Sequence, residues 1–213
     1  MKNIVASSPK TGGRQAAYLA RTRSALILSA QEVLADYGPG ATIEQLTDHA
    51  KVSPTTIYKH FESKDLLFAE ALKQVWEDWV VWSNLPLAPG TSLEATLDSG
   101  RKLFWVADTH PLFARILQKT LHAPAFLISA VQEGGVRAFR EYAGSGALEH
   151  ADFDKRMIVW TYGFVGLLNS VLVTHQLTPK EAESGLGIGL SVWGLSKSRI
   201  DELLARPMVF QKA

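Results

Sequence analysis

Cysteine is missing from all 213 residues. Its absence excludes disulfide staples and thiolate metal sites, and it fits a reducing compartment. The six histidines, at 49, 60, 110, 122, 150 and 175, include no pair three or four apart. The paired-histidine helix face of metal-binding motifs is therefore lacking, and no metal is expected. Long apolar runs are scarce as well. The opening MKNIVASSPKTGG has none long enough for a signal peptide. The most apolar uncharged stretch, MIVWTYGFVGLLNSVLV from Met157 to Val173, has 17 residues and includes Thr161, Asn169, Ser170 and two glycines. A bilayer span needs about 20 apolar residues, so this stretch reads as a buried helix, with no membrane partner and a cytoplasmic location. No nucleophile motif or recognisable carboxylate pair is present, and an enzyme is not expected. GLGIG (185–189) follows no strand and so is not a phosphate loop. No cofactor is expected.

Acid is also missing from the N-terminal 31 residues, which carry Lys2, Lys10, Arg14, Arg21 and Arg23 before the first acid at Glu32. Net charge is only +1, so the field of the whole chain does not draw in nucleic acid. The local excess has two readings: a solvated basic tail, or an arm that lies along phosphates.

What remains is an ordinary globular composition, 46% hydrophobic and 20% charged, patterned almost throughout at helical period. Apolar residues recur at 26, 27, 30, 33, 34 and 37, one helix face. That helix stops at YGPG, where Gly38 suits a left-handed cap and Pro39 forbids continuation. Thr42 with Gln45 three residues later forms a capping box for a short second helix over 43–50. Ser53-Pro54 is an N-cap followed by proline at the first helical position, and it opens a third helix ending near Phe61. Ser63 caps a fourth, long helix carrying Phe68, Ala71, Leu72, Val75, Trp79 and Trp82 on one face. After a break at 84–92, the pattern predicts helices at about 93–108, 111–121, 124–142, 152–175 and 179–196, with a last turn from Ser198. No alternating strand of useful length appears. The expected fold is all-α. A head over 1–66 with its basic N-terminal arm precedes a larger helical body over 67–213, the boundary lying near the long fourth helix.

Three short helices joined by the tight turn AKVS spell a helix-turn-helix, with Ile43, Leu46, Ala50, Val52, Ile57 and Phe61 inside. In such a unit the third helix enters the DNA major groove, led by its N-terminal residues. Here those are Ser53, Thr55 and Thr56, small side chains with hydroxyls, and with threonine methyls for thymine. Tyr58, Lys59 and His60 follow at the end of that helix, where they reach phosphate oxygens and fix register. Lys64 and Thr42 sit at helix N-termini, whose free N–H groups and dipole favour phosphate. Tyr58 has the alternative of packing its ring in the small core. His60, Lys59 and Lys64 have that of plain surface groups.

At this point the stretch ATIEQLTDHAKVSPTTIYKHFESKDLLFAEAL, residues 41–72, closely resembles the DNA-binding signature of the tetracycline-repressor (TetR) family. The preceding RTRSALILSAQEVLADYG is similar to that family's first helix. The likeness covers about a quarter of the chain. Lys51 departs from the pattern, because it stands where the family usually has glycine at a turn position needing positive φ. The resemblance implies a homodimer that binds a near-palindromic operator and usually represses transcription. It also implies a small-molecule effector whose binding in the C-terminal part spreads the two DNA heads and releases the operator. The last two long helices of each protomer are implied to form the dimer interface.

The C-terminal residues agree with that expectation on their own terms. Residues 157–173 are apolar nearly all round, and Gly163, Gly166, Gly185, Gly187, Gly189 and Gly194 permit close helix approach. Packing within one chain is the alternative. Aromatic residues Phe104, Trp105, Phe113, Phe126, Trp160, Tyr162 and Phe164 are candidate walls for an apolar cavity between helices, or else plain core. All but Tyr162 are taken forward as effector-binding candidates for an apolar or aromatic ligand, with Arg115, His122 and His175 as candidates for an anionic head group. The rival function is a helical small-molecule binder that acts by protein contact without DNA. Against it, Tyr58, Lys59 and Lys64 are present and no acid lies within 51–61. A DNA-binding regulator, repressor rather than activator, is the expectation.

Overall fold

The computed structural model describes residues 11–83, 90, 92–121 and 135–210. Among these, every regular element is a helix. The order is α1 (Thr11–Tyr37), α2 (Ile43–Ala50), α3 (Pro54–His60), α4 (Lys64–Ser83), α5 (Leu93–Lys102), a 3₁₀ turn (Leu103–Trp105) and α6 (Val106–Thr109). Then come α7 (Pro111–Thr120), α8 (135–144), α9 (Phe153–Leu172), α10 (Pro179–Ser191) and α11 (Lys197–Leu204). No described helix is long and apolar enough to cross a membrane.

The head is built by its caps. Gly38 takes φ 75° and donates its N–H to the Leu34 carbonyl at 2.9 Å, ending α1. The Thr42–Gln45 capping box is complete, with Gln45 N–H on Thr42 Oγ1 at 3.3 Å and Thr42 N–H on Gln45 Oε1 at 2.8 Å. Lys51 occupies the left-handed region at φ 54° and closes α2 with its N–H on the Thr47 carbonyl. Ser63 Oγ accepts from Leu66 N–H at 3.2 Å and starts α4. Leu46, Ile57 and Phe61 are buried, and Ile43, Ala50 and Val52 pack against them.

α1 and α4 join head to body. α1 packs along both α4 and α7. Its C-terminal end is tied to α7 by Arg115, which bonds Glu32 at 3.4 Å and also Asp36. α4 runs unbroken through residues 66 and 67, so the expected boundary falls inside a helix that serves both sides. Its inward stripe (Phe68, Ala71, Leu72, Val75 and Trp79) is buried as its spacing requires. α9 and α10 pack together, and α11 lies on α10.

Several bounds differ from the sequence reading. α1 begins at Thr11, well before the apolar period at Leu26. The helix expected over 93–108 is broken at Trp105 (φ −98°, ψ 11°), whose indole N–H donates to Glu183 Oε1 at 2.6 Å. α10 stops at Ser191, since Gly194 turns the chain at φ 76°. The expected last turn is a helix of two turns capped by Ser196. The helix expected at 124–142 lies in part outside the described residues.

Candidate nucleic-acid interface and body

α3 has seven residues, and its inward side is set by Ile57, fully buried, and by Phe61 at its C-cap. Stepping 100° per residue from that side places Thr55 and Lys59 at the centre of the outward face, one turn apart. Tyr58 lies on one edge of this face, and Thr56 and His60 on the other. The Tyr58 ring is 52% exposed, so it faces outward and is not in the small core. Thr55 and Lys59 are exposed, while Thr56 and His60 are half-buried.

Two hydroxyls of the motif serve the cap. Ser53 Oγ accepts from Thr56 N–H at 3.3 Å and shares a hydrogen bond with Thr56 Oγ1 at 3.1 Å. Thr55 is exposed. Lys64 is placed differently from a plain surface charge. Its ammonium donates to the Ala41 carbonyl at 2.7 Å and lies 5.2 Å from the centre of the Phe68 ring. That bond draws the N-terminus of α4 to the N-terminus of α2, next to Thr42. Two helix N-termini and one ammonium thus share one side of the head, an arrangement that attracts phosphate oxygens.

Arg23 escaped the sequence reading as a structural group. Its guanidinium stacks 4.4 Å from the Phe61 ring centre and pairs with Glu70 at 2.9 Å, holding α1 to the α3–α4 joint. The hydrogen bond from Arg23 holds the Glu70 carboxyl below its ordinary value. The two lie 47 positions apart, beyond the reach of any local pattern. With its C-terminal end against α7, α1 continues N-terminally past Phe61 and away from the body. Residues 11–22 extend about 18 Å at 1.5 Å per residue. Arg14, Tyr18 and Arg21 share one exposed face of this overhang. Lys2 and Lys10 lie outside the described residues.

The five described effector candidates do not converge on one place. Phe104 stacks on Phe164 at 5.3 Å, and Phe164 approaches Trp160 at 6.3 Å, in a core continued by Phe139 and Trp193. Phe113 instead meets Trp76 and Trp79, at 6.3 and 6.2 Å. Trp105 stands apart, bonded to Glu183 and facing Phe210 at 6.1 Å. Phe126 and His122 lie outside the described residues. Arg115 is engaged with α1, and the exposed His175 bonds the Val171 carbonyl at 3.0 Å. A surface cleft of about 490 Å³ is lined by Ser92, Glu94, Glu141, Tyr142, Leu195 and Arg199, and by none of the aromatic candidates.

α9 has two different sides. Trp160, Leu168, Val171 and Leu172 are buried, whereas Ile158, Val159 and Tyr162 are 58%, 54% and 57% exposed. Gly163 and Gly166 belong to the exposed side, and a Cβ on either would meet nothing within 4 Å. The α10 glycines serve packing within the chain. A Cβ on Gly185 would come 2.6 Å from Leu167 Cδ2, and one on Gly189 would come 3.0 Å from the Trp160 ring.

Residues 26–71 match the profile of bacterial regulatory proteins of the tetR family. Solved structures share the fold over most of the chain. RolR in complex with resorcinol matches at a TM-score of 0.65 and 18% identity, covering 91% of this chain and 98% of RolR. The fatty acid degradation regulator FadR from Bacillus halodurans matches at 0.58 and 17%, covering 87% of this chain and 97% of its own. A TetR family transcription regulator from Marinobacter aquaeolei VT8 gives 0.59 and 17%, with 84% and 97% covered. At these identities the likeness is one of fold. No curated protein sequence matches the chain.

Proposed function

We propose that the chain, whose residues 26–71 match the profile of bacterial regulatory proteins of the tetR family, is a cytoplasmic, effector-released repressor of that family that binds a near-palindromic operator as a homodimer. The observation that carries this reading is the outward face of α3, where Thr55 and Lys59 stand exposed on a helix whose opposite side is buried. Ser53, Thr55 and Thr56 lead α3 to the base edges. Tyr58, Lys59 and His60, with Thr42 and Lys64 at helix N-termini, position the phosphates. The basic overhang of α1 supports additional backbone contacts through Arg14 and Arg21. A homodimer through α9 and α10 sets two α3 helices one DNA turn apart, about 34–36 Å. That RolR is found with resorcinol supports a small, aromatic effector bound in the body, for which the Phe104–Phe164–Trp160 cluster and Trp105 offer two separate candidate places. α4, shared by head and body, is the element through which effector binding acts on the heads.

Selection from random duplex DNA at physiological salt tests the proposal. An enriched inverted repeat is expected, and a folded dimer that enriches nothing argues for a binder acting by protein contact. On the enriched site, Lys59→Ala is expected to lower the salt slope by about one per protomer and to weaken all sequences alike. Thr55→Ala is expected to change which base is preferred. A uniform loss with Thr55→Ala argues against base readout.

A further inference from the structure

A second group of residues, far from the DNA face, collects around the indole of Trp82 at the end of α4. Lys102 is only 7% exposed, yet among the described residues no carboxylate lies within ion-pair distance of its ammonium. Nζ donates to the Ser83 carbonyl at 2.8 Å and lies 5.9 Å from the Trp82 ring centre. Asp98, which acts on Lys102 through space, is already paired with Arg101 at 3.4 Å and Arg206 at 3.2 Å. Burial pushes the Lys102 ammonium below its ordinary value, with Asp98 pulling weakly the other way. On the edge of the same indole, at 4.5 Å, stands His110, whose buried Nδ1 has no hydrogen-bond partner. A buried cation without an anion and a buried ring nitrogen without a partner are both costly to leave as they are.

The segment after α11 also reaches the Trp82 indole. Arg101 donates to the Arg206 carbonyl at 2.9 Å, and Arg206 holds Asp98. These bonds bring the tail across α5 and deliver Phe210 to a slot between Trp82 and Trp105, with its ring centre 6.1 Å from each. Trp105 is fixed as the far wall by its bond to Glu183. Phe210 itself remains 40% exposed and lies in no helix. One benzene ring already fits between the two indoles, carried on a segment that belongs to no helix.

We propose that this slot binds a small aromatic carboxylate of the benzoate type. Its ring replaces that of Phe210, and its carboxylate is met by the Lys102 ammonium and by His110. Offset and edgewise ring contacts at 4.5–7 Å hold the aromatic part, and the charge-assisted bond to Lys102 selects an anion over a neutral ring. Phe210 is then an internal competitor that sets the concentration at which the ligand enters. The inference names an effector class for the regulator proposed above and rests on that reading for its consequence, but the binding is a property of the protein alone.

Titration of the full chain with sodium benzoate at constant ionic strength, followed by tryptophan fluorescence, tests the site. If Phe210 fills the slot about nine-tenths of the time, Phe210→Ala is expected to bind benzoate about tenfold more tightly than the unaltered chain. Lys102→Met keeps the side-chain volume and is expected to bind it at least about tenfold more weakly, with a thermal melt checking that the variant folds. Benzyl alcohol, with the same ring and no charge, is expected to bind the unaltered chain at least about tenfold more weakly than benzoate. That comparison decides the matter if Lys102→Met does not fold. Equal affinity for the two compounds, an unchanged affinity in folded Lys102→Met or in Phe210→Ala, or no saturation in Phe210→Ala overturns the proposal. If benzoate binds as expected while no DNA is enriched, the repressor reading falls and the site stands. An enriched inverted repeat with no benzoate binding removes only the site.

Discussion

Lys51 ends α2 at φ 54°, ψ 40°, a conformation in which a Cβ crowds the following carbonyl. Lys51→Gly is expected to stabilise the protein by about 1 kcal/mol, less the greater freedom glycine gives the unfolded chain. For a domain of this size that raises Tm by about 2–4 °C, read by calorimetry; an unchanged or lower Tm argues that the lysine stem packs usefully against its turn. His110 offers a test by pH. Burial lowers its folded pKa from the ordinary 6.5, against the raising effect of Asp78. Below that ordinary value the unfolded chain takes up a proton that the folded imidazole refuses, so stability falls with falling pH until the folded pKa is reached. In His110→Asn the Tm is expected to fall less between neutral pH and the acid side of 6.5. Identical pH profiles exclude a buried, neutral His110.

The described helices owe their caps to local chemistry and their pairings to distant residues. The Thr42–Gln45 box, the Ser53-Pro54 start and the Gly38 stop lay open in the sequence because each is complete within a few residues. The N-terminal turns of α1 were hidden, since AAYLA has no apolar period of its own and the exposed helix there buries almost nothing. The break at Trp105 has no glycine or proline to announce it, only a bond to Glu183, 78 positions away. The dispersal of the aromatic candidates among separate clusters was hidden for the same reason. Glycine in α9 and α10 reads alike in sequence but differs in space. Gly189→Ala would drive a methyl to 3.0 Å from the Trp160 ring, which Phe139 and Phe164 hold from other sides. It is expected to destabilise by about 1–3 kcal/mol despite better helix propensity. Gly163→Ala meets open space and is expected to stabilise the isolated protomer by up to about 1 kcal/mol. Urea unfolding of both variants separates the two roles, and equal effects would dismiss the distinction.

Across the molecule, one group of the exposed apolar side chains stands together, on α9. Isolated exposed apolar groups are ordinary, but Ile158, Val159 and Tyr162 occupy a single face of α9 beside two glycines with open space above them, and Ile188 of α10 is 77% exposed. A face of this kind, opposite a fully packed one, has the form of a helix buried on both sides by a second copy of the chain. Tyr162→Arg places a charge where two copies would meet, and it disturbs no buried contact within the protomer. It is expected to leave the circular dichroism and the protomer's Tm nearly unchanged while shifting sedimentation from dimer to monomer. Two heads joined by a dimer bind a two-half-site operator with an effective concentration that single heads lack. The same substitution is therefore expected to weaken binding to an enriched inverted repeat by a factor on the order of 100, while binding to an isolated half-site changes little. A Tyr162→Arg protein that remains dimeric places the interface on another face. One that is monomeric yet binds the full repeat undiminished separates dimerisation from DNA recognition.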